Sequence, residues 1–164
     1  MNIDDLKLIL LNKPLSEIET ALDDFSIASF DNYGNNILHY YVKNYESIKL
    51  PAESIIQLSI NRGIDINARQ SKKDKRTALQ LAVMKKAKQI FDILISNGAD
   101  VNIQDGNGNV ALSDAVFWYR NDDGHFIETL IAKGARVDIE NNYGVTPKRL
   151  SDTIANYDSK KFFV

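Results

Sequence analysis

Three short strings recur along the chain: Gly63-Ile64-Asp65-Ile66-Asn67, Gly98-Ala99-Asp100-Val101-Asn102 and Gly134-Ala135-Arg136-Val137-Asp138. Their glycines are 35 and 36 residues apart. A second string opens each unit: Asp31 through Gly34 to Leu38 and His39, then Arg76-Thr77-Ala78-Leu79. Asp105 through Gly108 to Leu112 follows, and then Asn141 through Gly144 to Thr146 and Pro147. Counting from Leu38, the equivalent positions Leu79, Leu112 and Lys148 follow at intervals of 41, 33 and 36. No other feature limits the fold as tightly. A unit of that length cannot bury an apolar face alone, so it must stack on its neighbours. With 44% hydrophobic residues over 164 positions, there is enough apolar side chain to fill the seams.

Each unit has the same internal pattern. An opening turn leads into a short apolar-patterned segment (37–42, 78–84 and 111–118) and then a longer one (53–60, 89–96 and 126–132). In the middle unit Leu79, Ala82 and Val83 share a helical face, as do Ile90, Phe91, Ile93 and Leu94. Asn97-Gly98 and Lys133-Gly134 are expected to end the second helices. Asn36, Thr77 and Thr146 can each offer a side-chain oxygen to a helix start, whereas Val110 cannot, so its turn is expected to be less well fixed.

These strings resemble the ankyrin repeat, whose 33-residue unit opens D-x-x-G-x-T-P-L-H and closes G-A-D-V-N. Asp31, Gly34, Leu38 and His39 match that opening, as do Thr77 and Leu79, then Asp105, Gly108 and Leu112, then Asn141, Gly144, Thr146 and Pro147. Lys72 and Lys75 replace the aspartate and glycine in the second unit, Val110 the threonine in the third, and Lys148 the leucine in the last. The resemblance covers about residues 31–150. It implies an all-α solenoid of helix-turn-helix units joined by short hairpin turns, with Asp31, Gly34, His39, Thr77, Gly98, Asp105, Gly108, Gly134, Gly144, Thr146 and Pro147 shaping the turns. The reading is a single domain over 1–164: a degenerate capping pair at 1–30, repeats at 31–69, 70–104 and 105–140, and a capping repeat at 141–164. Ile154, Tyr157, Phe162 and Phe163 are expected to close the last unit, the alternative being an exposed docking tail. The closing stretch from Asn141 also resembles small bacterial ankyrin proteins, some of which are immunity proteins against toxins.

Twenty basic against twenty-two acidic residues leave a net charge of −2, but by unit it runs −4, 0, +4, −4 and +2. Lys72, Lys73, Lys75, Arg76, Lys85, Lys86 and Lys88 fall within seventeen residues. They form either a solvated face or an electropositive patch that steers an acidic partner. Without interleaved aromatics, and with a neutral unit before it and an acidic one after it, the cluster is not a nucleic-acid site. Phe117-Trp118-Tyr119 ends a first helix beside an inserted loop. Adjacent helical positions do not share a face, so at least one ring is expected to be exposed or to cover that loop.

The chain has no cysteine, which removes thiolate metal sites and a cysteine nucleophile. His39 and His125 are far apart, and no phosphate-binding glycine loop is present. Asp105-Gly-Asn107-Gly-Asn109 begins like a calcium loop, but Val110 and Val116 stand where glycine and glutamate are required. The carboxylates are expected on solvated turns with no reason for a raised pKa. No enzyme, cofactor, metal or small-molecule substrate is expected. The amino-terminal residues have no targeting character, no segment is long enough to span a membrane, and the expected location is cytoplasmic.

The function that follows is protein binding through a concave face. Its candidate contacts are Tyr33, Lys43, Lys73, Asp74, Lys75, Met84, Lys85, Asn107, Phe117, Trp118 and Tyr143. The alternatives are inhibition of a cognate toxin domain, as the second resemblance implies, and a structural or scaffold role.

Overall fold

The computed structural model describes all residues except 24, 28, 73, 122, 123, 155, 156 and 164. Lys73, singled out in the sequence, lies outside the described residues. The remainder forms helices α1 (Ile3–Asn12), α2 (Leu15–Asp23), α3 (Ile37–Asn44), α4 (Ala52–Asn61), α5 (Ala78–Met84), α6 (Lys88–Ser96), α7 (Ala111–Trp118), α8 (His125–Ala132) and α9 (Pro147–Thr153). A 3-10 helix at Ser159–Phe163 follows. The second helices of the repeats begin one residue earlier than their apolar periodicity predicts.

The helices stack in two rows. α1, α3, α5, α7 and α9 pack successively on one another, and α2, α4 and α6 form a second row. Helices of seven to ten residues have little stability by themselves. Tertiary burial holds them: Ile56, Phe91, Leu94, Leu112 and Leu130 are fully enclosed in the seams. This is an all-α repeat solenoid, as the period requires.

Helix starts follow the capping residues. Asn36 accepts from the His39 N–H (2.9 Å), Thr77 from Gln80 (3.2 Å) and Thr146 from Arg149 (3.1 Å). Val110 makes no side-chain cap and is wholly buried instead. Its turn is secured from the preceding unit, where Gln80 Nε2 donates to Asn109 O at 2.8 Å.

His39 makes the corresponding bond one unit earlier. Its Nδ1 accepts from Asn36 N (3.2 Å), leaving Nε2–H to donate to Ala68 O (3.1 Å). Burial holds this imidazole down to about 4, so it is neutral at pH 7.

Asp31, Asp105 and Asn141 tie the hairpins identically. Asp31 Oδ1 accepts from Tyr33 N and Asn35 N, both at 2.8 Å, and Asp105 Oδ1 from Asn107 N and Asn109 N. Asn141 Oδ1 accepts from Tyr143 N and Val145 N. Burial alone would raise the Asp31 carboxyl, but the Lys7 ammonium at 2.7 Å and the donors of Asn35 and Tyr33 hold it at about 2. Through Lys7 the amino-terminal helix is fastened to the first repeat.

The second repeat makes its hairpin without that device. Lys75 N donates to Lys72 O at 2.9 Å, the turn bond that Gly34 N makes to Asp31 O, but Lys75 sits at φ +48° where the other units have glycine. A side chain in the left-handed region costs about 1–2 kcal/mol. Lys75→Gly is therefore expected to raise stability by about 1 kcal/mol, which a shift in urea midpoint at unchanged m-value would register; no shift would mean the hairpin carries no strain.

The carboxyl-terminal aromatics pack back as expected. The Phe162 ring meets Tyr119 edge-on at 5.4 Å, and Arg120 lies 4.8 Å from the Tyr157 ring centroid. A Cβ at Gly124 would run into the Phe162 ring. Gly63, Gly98 and Gly134 end the second helices of their units.

Candidate functional site

Successive hairpins lie edge to edge. Ser71 N donates to Gly34 O, Gly106 N to Asp74 O and Asn142 N to Asn107 O, at 2.9, 2.7 and 2.9 Å. With the first helices behind them they make one continuous face. Between α7 and the last hairpin this face opens into a cleft of about 470 Å³. Met84, Phe117, Trp118, Tyr143, Val145 and Leu150 form its apolar wall, and Arg76, Asn109, Ser113, Asp114, Asn141 and Thr146 its polar part.

Four of the eleven candidate contacts meet there: Met84, Phe117, Trp118 and Tyr143. Phe117 is 53% and Tyr143 77% exposed, Trp118 is half-buried, and Tyr119 is buried. Position 119 thus packs against the closing tail while 117 and 118 turn to the cleft, with the Phe117 and Trp118 rings edge-on at 5.2 Å. Tyr33, Lys43, Asp74, Lys75, Lys85 and Asn107 are all exposed but do not line the cleft.

The basic cluster is not one patch. Lys72 and Lys75 stand at the hairpin tip, and Lys85, Lys86 and Lys88 at the far end of α5, about 10 Å of helix away. Lys72 Nζ donates to Asn32 O at 2.6 Å. Arg76 is drawn inward, with Nη1 3.5 Å from Asp74 and Nε 3.6 Å from Asp105.

The carboxylates also require a correction. Asp114 is not on a solvated turn; it lies within α7, is 7% exposed, and its Oδ2 makes no hydrogen bond among the described residues. Burial pushes it up to about 7, with Arg76 lowering it and Asp105 raising it. Sequence reading missed this residue, although a signal exists: 114, 117 and 118 stand at i, i+3 and i+4, so an acid in an otherwise apolar helix shares the face of the two aromatics.

Asn67 and Asn102 were likewise passed over as working residues. Asn67 Oδ1 accepts from Asp100 N and Asn102 Oδ1 from Arg136 N, both at 2.8 Å, so each closing asparagine clamps the next unit. Asp105, the first residue of the calcium-like string, spends Oδ1 on its own turn amides. Among the described residues no helix is long and apolar enough to cross a membrane.

A family model described as ankyrin repeats (3 copies) matches residues 49–141. An ankyrin repeat protein of fowlpox virus is 33% identical over 94 residues, 57% of this chain and 27% of that protein. One of variola virus is 30% identical over 130 residues, 75% of this chain and 22% of its own length, and one of vaccinia virus 27% over 135 residues, 71% and 23%. The chain therefore spans about a quarter of the length of these curated relatives. They are poxviral, and the resemblance to bacterial toxin-immunity proteins gains no support from them. With the family model matching more than half of its residues, the chain belongs to the ankyrin-repeat family, a family of protein–protein interaction modules.

Proposed function

We propose that residues 1–164 act as one domain that binds a partner protein through the face made by the hairpins and first helices, with Phe117, Trp118 and Tyr143 as anchors and Met84 beside them. One observation carries this reading. Aromatic side chains from two different units converge on a single cleft, and two of them are more than half exposed. Large rings with few rotatable bonds lose little entropy on docking, so a cluster of them is a favourable interface centre. Lys43, Lys75 and Lys85, outside the cleft, are assigned to the rim, where charge affects association rate more than affinity. Inhibition of a toxin is a special case of such binding, and the poxviral relatives lend it no support. Ankyrin proteins are in general interaction modules and not catalysts, and no enzymatic role is proposed.

Co-purification tests the reading. The double variant Phe117→Ser/Tyr143→Ser is expected to retain at least tenfold less of any partner bound by the native chain, each anchor contributing about 1–2 kcal/mol or more. Gln89→Ser, an exposed change on α6, serves as the control and is expected to leave binding unchanged. Equal retention by all three proteins would refute the assignment of this face.

A further inference from the structure

Two buried groups lining the cleft lack a hydrogen bond among the described residues: Arg76 Nε, which faces the Asp105 carboxylate at 3.6 Å, and Asp114 Oδ2. The cation acting on Asp114 is Arg76, whose guanidinium also stands against Asp74 and Asp105. One guanidinium thus serves three carboxylates, and the surplus is negative. Lys85 after α5, His125 and Glu128 on α8, and Lys148, Arg149 and Asp152 on α9 are the other ionisable groups of the helices packed against α7; none of them lines the cleft.

The choice of occupant follows from what each class of group would meet. An anion would meet the negative surplus. An apolar side chain would seal Asp114 from water without pairing it, the most costly arrangement for a carboxylate. A cation would pair with it, and the flanking rings favour a cation too, since an aromatic face attracts ammonium and guanidinium groups. Trp118 already shows this compatibility, with the Arg120 guanidinium carbon 5.9 Å from its ring centroid. The unit that carries Asp114, 105–140, has a formal charge of −4; it and the closing unit 141–164, at +2, supply five lining residues each.

We infer that the cleft receives a basic side chain of the partner protein, an arginine or lysine seated among Phe117, Trp118 and Tyr143 with its charged head on the Asp114 carboxylate. This rests on the interaction-module reading and specifies the chemistry of its partner, opposite in sign to the acidic partner that the lysines suggest. Because only ionised Asp114 pairs with a cation, and burial holds its pKa at about 7, binding releases a proton. Affinity is therefore low at pH 6, rises through pH 7 and levels off near pH 8.

The chain has a single tryptophan, and it lines the cleft, so fluorescence reports occupancy directly. The probes are a blocked peptide of about six alternating glycine and arginine residues and its glutamate counterpart, titrated at about 0.15 M salt, where exposed charges are screened. The arginine peptide is expected to shift Trp118 emission saturably and the glutamate peptide to have no effect. Asp114→Asn, with its folding checked by melting, is expected to weaken arginine-peptide binding about tenfold, as is lowering the pH of the native chain from 8 to 6. The inference is overturned if arginine-peptide binding is flat with pH and unaffected by Asp114→Asn, if the glutamate peptide binds as well, or if neither peptide shifts Trp118. Those outcomes leave the broader reading standing, because that reading fails only if the Phe117→Ser/Tyr143→Ser variant keeps its partner.

Discussion

Gly108→Ala is expected to lower the stability of the chain by about 2–4 kcal/mol, whereas Gly144→Ala should cost only about 1 kcal/mol. Both glycines occupy the same hairpin position with positive φ, +79° and +70°. The difference lies in what an added methyl group meets. At Gly108 it would fall 2.7 Å from Asn142 Oδ1, 2.8 Å from Asn142 N and 3.0 Å from Asn141 Cα, whereas at Gly144 nothing lies within 4 Å. Asn142 N cannot retreat cheaply, because it donates to Asn107 O at 2.9 Å. The first substitution therefore adds a displaced hairpin to the backbone strain, and the second carries the strain alone. Urea denaturation of the two variants decides the point; equal losses would show that close approach between hairpins is not what demands glycine at 108.

Asp114→Asn is expected to stabilise the protein at pH 8, by on the order of 3–4 kcal/mol, and to have little effect near pH 4. The native carboxyl is raised from 3.8 to about 7 by burial. A group whose folded pKa lies above its unfolded one contributes its stability in full below the unfolded value, here 3.8. That contribution is lost as the pH rises through 7. An isosteric amide removes the ionisation and with it the loss. His39, held down to about 4, and Asp31, held at about 2, act in the opposite direction, losing their contributions as the pH falls. Both are common to native chain and variant, so they cancel in the difference. The test is the gap between the two urea midpoints at pH 4.5 and pH 8; a constant gap would mean that Asp114 is not held protonated by its site. Loss of partner affinity together with gain of stability in one substitution would mark Asp114 as a residue kept for binding at the expense of the fold.

Much of the architecture was legible because the repeat reports it several times over. The glycine-led closings and the capping residues Asn36, Thr77 and Thr146 each mark a boundary, and a stack needs only nearest-neighbour contacts to turn those boundaries into a fold. Lys75 was readable as a substitution, and the structure shows what it tolerates, a left-handed turn without glycine. The site was less legible. Turn tips could be placed by analogy, yet only Tyr143 among the tip candidates reaches the cleft, since the cleft forms where α7 meets the last hairpin and not along the whole face. Counting lysines suggested a patch because formal charge ignores direction: Arg76 turns inward to two carboxylates, while α5 keeps its terminal lysines apart. Asp114 escaped notice because acids are usually solvated, and burial comes from the packing of neighbouring units that no window of one unit contains.

The bonds from each unit to the next have a kinetic consequence. His39 to Ala68, Gln80 to Asn109, Asn67 to Asp100 and Asn102 to Arg136 span 29, 29, 33 and 34 residues respectively. Lengthening the array by another copy would leave those spans unchanged, so the loop-closure entropy of each step does not grow with the chain. Folding can then begin in whichever adjacent pair is best packed, with α5 to α8 the natural starting point, and advance outward one unit at a time. Chain length would set the number of steps and not the height of the first barrier.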